Sequence, residues 1–338
     1  MDPLTQGLAG IVAGQSAAGR KRIREATVAG LIGGILPDAD VLIHIPDDPL
    51  FNLLIHRHFT HSLIFIPIGG LLAAFLAWLL MRRRPNFSRI CLFATLGYAT
   101  GGLLDACTSY GTHLYWPFSA HRTAWDAIAI IDPLFTLILA LACFFAFRKK
   151  ARAIALIGLV LGLSYLGTGF YARHIATGVL LDAAQKRGHT IERIRLMPTL
   201  GNLILWRGVY ETAGSGDAAA FHVNAVRLGL FKKHRLYSGP TVQKFTPEGL
   251  TPNPISPQLL FDIRRFSRFA DGYIFQFQKN PLIIGDLRYA MLPQQAEPLW
   301  GLVIPPSHQG RRTQLKYFDR LDPKTFRDFR QMLAGADL

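Results

Sequence analysis

The first half of the chain is organised by long apolar runs. Residues 62–81, 127–147 and 153–171 are almost unbroken hydrophobic sequence, and each is close to the about 20 residues that a helix needs to cross a bilayer core. The run 90–107, "ICLFATLGYATGGLLDAC", reads as a fourth span, with small residues and Asp105 near its end. Two earlier stretches, 4–19 and 25–45, are rich in Gly and Ala. They predict either further spans or shorter helices packed on the others, since small residues let helices approach closely in membranes. Past Tyr171 the pattern shifts to short runs with strand character, "NLILWRGVY", "FHVNAVRLGLF" and "DGYIFQFQ". The predicted architecture is an α-helical multi-span membrane domain of about four to six helices over residues 1–171. A smaller, polar, mainly β domain follows over 172–338. There is no internal repeat and no low-complexity tract.

Composition strengthens this division. Half of the 338 residues are hydrophobic and 17% are charged, against about a quarter in an ordinary soluble domain. The formal charge of +15 would by itself suggest nucleic acid, but the placement of the cations points elsewhere. Residues 1–171 hold 14 Lys and Arg against 9 Asp and Glu, leaving 23 and 13 for the remainder. Many of those 14 fall in three short clusters between apolar runs: "RKRIR" at 20–24, "RRR" at 82–84 and "RKKAR" at 148–152. That is the pattern of cytoplasmic anchors between spans, so a lipid partner is expected and a nucleic-acid partner is not. Cys91, Cys107 and Cys143 all lie in or at the end of apolar segments and lack CxxC spacing, so they read as packing residues. The opening "MDPLTQGLAG" has no basic n-region and does not read as a cleaved signal peptide.

With the three basic clusters placed inside, alternation of the spans puts 37–61, 106–126 and everything after about 172 on the outer side. That side collects "PDAD" at 37–40, His44, "HRHFTHS" at 56–62, Asp105, His113, His121, Asp126 and Asp132. Polar chemistry scattered over almost a hundred residues is thus expected on one face.

The residue types suggest a metal. Pro37 should stop the preceding helix and leave Asp38 and Asp40 on a turn, where a DxD pair offers two hard oxygen ligands, although Asp also serves turns and caps. Thr60 is a candidate N-cap for the helix of 62–81, with His56, Arg57 and His58 on the loop before it. His56 and His61 are five apart, which is not one helix face, yet across a loop-to-helix junction both can point at one centre. Asp105 near the end of an apolar span needs a cavity, a partner or an ion, unless it simply reaches water. Asp126 and Asp132 open the next span, and Asp132 before Pro133 could merely cap it. A His and carboxylate set without thiolates suits Zn, Mn or Fe and does not resemble a closed structural zinc site. An open coordination position would make hydroxide from bound water, which is hydrolase chemistry. GxSxG, Walker A, GxGxxG and HExxH motifs are absent.

Five stretches in this order, "MDPLTQGLAG", "GGILPDADVLI", "HRHFTHSLIFIP", "LLDACTSYGTHLYWPFS" and "WDAIAIIDPLFT", resemble the YdjM-like family of inner-membrane proteins, which are described as metal-dependent hydrolases. The likeness covers about residues 1–170. It implies a multi-helix membrane domain with a divalent metal, zinc first and Mn or Fe next. The implied ligands are Asp38 and Asp40 of the PDxD motif, His56 and His61 of HRxxTHS, and Asp105 of LLD. His58, His113 and Asp126 are further candidates. By this resemblance the chain departs from the pattern at Gly101, where many relatives carry histidine, and at Gln6, where some do.

The leading expectation is therefore a metal-dependent hydrolase at the outer surface of the bacterial inner membrane. Its substrate would be amphiphilic or lipid-linked, cleaved at an ester or phosphoester. The alternative is a membrane scaffold or sensor with a structural metal. A transporter fits less well, because the carboxylates collect at one face and not at the midplane. In the β domain His174, His189, His222, His234 and His308 are far apart in sequence, so the chemistry is expected in the membrane half.

Overall fold

The computed structural model describes residues 1–82, 85–213, 219–229, 233–247, 256–305, 313–318 and 322–336. Arg83 and Arg84 of the second basic cluster, and His308, lie outside the described residues. The chain forms two compact units. The first holds Met1–His44, Asn52–Tyr171 and Leu200–Asn202, and the second holds Ile45–Phe51, Ala172–Thr199 and Leu203–Leu338.

The first unit is built from α1 (Pro3–Ser16), α2 (Ile23–Ile35), the single-turn α3 (Phe51–Ile55), α4 (Ile66–Leu80), α5 (Phe87–Cys107), α6 (Pro133–Lys149) and the start of α7 (Arg152–Lys186). Helix α1 starts where it does because Asp2 accepts the Thr5 N–H as N-cap and Pro3 occupies the first turn. Pro37 ends α2 as expected, but the chain continues as a tighter 3-10 helix over Leu36–Leu42, so Asp38 and Asp40 sit on a helical turn. The apolar run from 127 becomes helical only at Pro133, with Asp132 accepting the Phe135 N–H.

Burial in α4 is inverted relative to a water-soluble helix. Gly69, Gly70, Ala73, Ala74 and Ala77 are buried, while Leu71, Leu72, Phe75, Leu79 and Leu80 are exposed. Small residues inside and large apolar ones outside is how a helix packs when its surroundings are lipid. Among the described residues, three helical segments are long and apolar enough to cross a membrane: Leu63–Leu80, Phe87–Cys107 and Arg152–Lys186.

Glycine sets the packing that matters for the site. A methyl group added at Gly10 of α1 would come within 2.3 Å of the Gly30 carbonyl of α2, and one at Gly97 of α5 within 2.5 Å of the same oxygen. Backbones this close hold α1, α2 and α5 in one tight layer. Gln6 of α1, Asp105 of α5, Asp38 just after α2 and His61 just before α4 meet at one end of this layer, where α2 and α5 end and α1 and α4 begin.

The second unit contains two antiparallel four-stranded meanders. The first is β1 (Ile191–Pro198), β2 (Leu205–Thr212), β3 (Ala220–Arg227) and β4 (Arg235–Gln243), in that order. The second is β5 (Ile274–Gln276), β6 (Ile283–Asp286), β7 (Trp300–Val303) and β8 (Gln314–Tyr317). Alternation gives the first sheet two faces. Val209, Phe221, Val223 and Val242 join Tyr273, Phe275 and Ile283 in one core, while Trp206, Tyr210 and Val226 receive Ala176, Leu180 and Ala184 of α7. Helices α8 (Pro257–Phe269) and α9 (Pro323–Ala334) complete the unit. The register places Tyr210 opposite His222 and His222 opposite Thr241. His189, which lies between α7 and β1, meets His222 beside Tyr210, with the two histidine ring centroids 4.3 Å apart. Their nitrogens are engaged by hydroxyls of Tyr210, Thr212 and Thr241.

Candidate metal centre

Asp38, His61 and Asp105 are brought together at the end of the helical layer. One donor atom from each lies within 4.8 Å of the others. His61 is fully buried, with Nε2 3.1 Å from Asp38 Oδ1 and 3.0 Å from Asp105 Oδ2. Its other nitrogen, Nδ1, faces the Thr60 hydroxyl at 3.0 Å and Asp40 Oδ2 at 3.5 Å. One side of the ring thus points at two carboxylates and the other at a third.

Asp40 stands one bond further out. It accepts from His56 Nδ1, the Arg57 main-chain N–H and the Thr60 hydroxyl, each at 2.8 Å. Thr60 was expected to cap the helix of 62–81. It does not, because its hydroxyl is committed to Asp40 and α4 begins only at Ile66 without a side-chain cap. His56, a quarter exposed, lies at the mouth of the site with its ring centroid 6.2 Å from that of His61.

Arg57 ties the assembly together from a strained position. Its φ is 63°, the left-handed region that costs a branched or long L-residue about 1–3 kcal/mol. The buried guanidinium has Nε 3.2 Å from Asp105 Oδ2, donates to Thr108 Oγ1 and Met1 O, and lies 4.9 Å over the Tyr110 ring. The Met1 amino nitrogen also contacts Asp105 Oδ1. Gln6 donates its amide to Asp105 Oδ2 at 3.1 Å, while its buried Oε1 has no hydrogen-bond partner. Gln6 thus lies against Asp105. A methyl group at Gly101, the other departure, would stand 3.8 Å from that Oε1.

Electrostatics follow from these contacts. Burial opposes charge on His61, but hydrogen bonds to Asp105, Asp38 and Asp40 outweigh it and raise its pKa to about 10. Burial would raise the Asp40 carboxyl, yet His56 and His61 hold it well below the usual carboxylate range. The remaining candidates lie apart from the trio. His58 and His113 form a pair with ring centroids 4.5 Å apart, next to Trp116. Burial, then Arg122, pushes both towards the neutral form, His113 to about 3. Asp126 is buried at a φ of 50° and belongs to no ligand-spaced group among the described residues. His121 and His44 are exposed.

Sequence reasoning did not find Tyr98, whose hydroxyl donates to the Thr60 carbonyl at 2.7 Å. The signal was present, since Tyr98, Gly101, Gly102 and Asp105 share one face of α5 at helical spacing. Gly102 is required there, because a Cβ would meet the His61 carbonyl oxygen at 2.2 Å.

A helical unit that turns large apolar side chains outwards, and gathers buried carboxylates and an imidazole at one end, defines a polytopic membrane protein with a polar terminal site. Comparison with known sequences names the family. The model of the YdjM inner membrane protein family matches residues 1–176, and the chain belongs to that family. The inner membrane protein YbcI of Escherichia coli (strain K12) is 36% identical over 108 residues, 30% of this chain. The chain covers 60% of that relative's length. No solved structure matches the chain.

Proposed function

We propose that this inner-membrane protein is a metal-dependent hydrolase acting at the membrane surface on an amphiphilic or lipid-linked ester or phosphoester. The observation that carries the reading is the trio of Asp38, His61 and Asp105, whose donor atoms face one point in a buried site. The donor set fits a divalent metal. One imidazole with carboxylate oxygens suits Zn, Mn or Fe, and the orphaned Gln6 Oε1 beside Asp105 offers a further oxygen. Asp38, His61 Nε2 and Asp105 would hold the ion, and the ion would supply an acidified water as nucleophile at neutral pH.

The protein's own groups complete the chemistry. Asp40 faces His61 Nδ1 and keeps the proton on that nitrogen, which leaves Nε2 free to bind; such carboxylate partners fix both tautomer and ring orientation. His56 donates from Nδ1 to Asp40, so its Nε2 at the mouth can accept or deliver a proton. Arg57 offsets the negative charge of Asp105. The site would face the periplasm together with the second unit, a placement that rests on cation counts in the basic clusters.

The test is turnover of phospholipid and lipid-linked phosphoesters by the purified protein supplied with Zn, Mn or Fe. His56→Gln should retain the metal while losing about 10²–10⁴ in rate. Full metal occupancy with no turnover by any of these loaded forms would favour the structural-metal scaffold instead.

A further inference from the structure

The strongest unassigned feature lies at the opposite end of α2 from the metal centre, about 20 Å away by the rise of 13 helical residues. There a cleft of about 940 Å³ opens between the segment leading into α2 and the end of α6. Arg20, Lys21 and Arg24 line one side, and Arg148, Lys149 and Lys150 line the other. Among the described residues no acidic one lines it. Glu25 is nearby in sequence, but it pairs with Arg22 at 2.7 Å. Among the described residues none of the six cations has an ion-pair partner.

Six like charges around one cleft repel one another, and their placement is only partly favoured by the helices. Arg148 and Lys149 sit in the last turn of α6, where the helix dipole welcomes cations. Lys21 lies in the 3-10 turn just before α2 and Arg24 in its first turn, where the dipole disfavours cations, and no side chain caps that end. An anion in the cleft would relieve both the repulsion and the dipole.

The surroundings specify what carries the anion. Phe144, Phe145 and Phe147 also line the cleft. Exposed apolar residues continue from it along both helices at helical spacing: Val28, Leu31 and Ile35 beyond Arg24, and Leu141, Leu137 and Leu134 back along α6. A cationic cleft that leads into two apolar tracks matches an amphiphile with an anionic head and hydrocarbon tails. A soluble anion would use only the first half of that surface. Basic pockets between membrane helices bind acidic lipid headgroups by this combination. We propose that the cleft is a specific binding site for an anionic phospholipid, with its phosphate among the six cations and its acyl chains along α2 and α6.

The full chain in nanodiscs of phosphatidylcholine doped with phosphatidylglycerol provides the test, with retained lipids counted by native mass spectrometry. Phosphatidylglycerol should be retained at least about tenfold over phosphatidylcholine, and the preference should collapse as salt rises from about 0.05 to 0.5 M. R24Q/R148Q/K149Q should abolish the preference, whereas K316Q/K324Q/R327Q, which removes equal charge elsewhere, should keep it. If the first triple variant does not insert, the salt series on the unaltered protein decides. Equal retention of the two lipids, or displacement of phosphatidylglycerol by about 10 mM inorganic phosphate, overturns the proposal.

Discussion

The main-chain N–H of Arg57 donates to Asp40 Oδ2 at 2.8 Å, and it is aimed there by a φ of 63°. The backbone contact and the strain belong together. Tension at this residue is what allows its amide to reach Asp40 while its guanidinium reaches Asp105. Arg57→Gly keeps the amide and relieves the strain, and Arg57→Ala keeps both the amide and the strain. Thermal unfolding should therefore find the glycine variant more stable than the alanine variant by about 1 kcal/mol. Both should be less stable than the parent, since each leaves the buried Asp105 without its guanidinium. Equal stability of the two variants would show that the left-handed conformation is not held.

The three ligand-spaced residues should behave differently from their supports. Asp38→Ala, His61→Ala and Asp105→Ala should each lose bound metal while the protein still inserts. Asp40→Asn should weaken affinity about 10- to 100-fold without abolishing binding, as loss of an orienting partner does. His121→Ala, on an exposed side chain, should bind as the parent does. Elemental analysis and competition with a chelator of known affinity separate these classes. Full occupancy in both His61→Ala and Asp105→Ala would mean that the cluster is no metal site.

Proton linkage gives a further check. His61 has a pKa near 10 in the metal-free protein, so it is charged at neutral pH, and an ion can bind Nε2 only after that proton leaves. Metal binding at pH 7 should release close to one proton, measurable by calorimetry in buffers of different ionisation enthalpy. The sign for stability is the reverse of the usual carboxylate case. A group raised from 6.5 to about 10 stabilises the folded state fully below 6.5 and loses that contribution as pH climbs through 10. The metal-free protein should therefore melt lower at pH 10 than at pH 6.5, and this contribution should vanish in His61→Gln.

Gly102 offers a packing test away from the charges. A Cβ there would lie 2.2 Å from the His61 carbonyl oxygen, so Gly102→Ala must push the 3-10 turn of Phe59–His61 away from α5. We expect about 1–3 kcal/mol of destabilisation and weakened metal binding. Gly167→Ala in α7, with nothing within 4 Å of the new methyl, should do neither. Metal affinity unchanged in Gly102→Ala would show that His61 is not held by this contact.

The basic clusters predict a membrane orientation that a fusion can test. A reporter fused after the second unit should be active in the periplasm and silent in the cytoplasm. Cytoplasmic activity would place the site on the other side and remove periplasmic substrates from consideration.

The sequence by itself determined the local elements, because each depends on neighbours only a few residues away. Apolar runs made α4, α5, α6 and α7, Pro37 ended α2, Asp132 capped α6, and alternating residues made β2 and β3. The family resemblance grouped Asp38, Asp40, His56, His61 and Asp105 as candidate ligands without separating Asp40 and His56 from the other three. Tertiary structure alone decided which atoms meet, because that depends on how closely α1, α2 and α5 approach through Gly10, Gly30 and Gly97. It placed Asp38 and Asp105 on one nitrogen of His61 and Asp40 on the other. It also drew Thr60 from a helix cap to a carboxylate, and brought His189 and His222 together beside Tyr210. Local sequence sets which stretches become helices and which residues share a face, whereas separations of 23 to 104 residues between partners are closed only by packing.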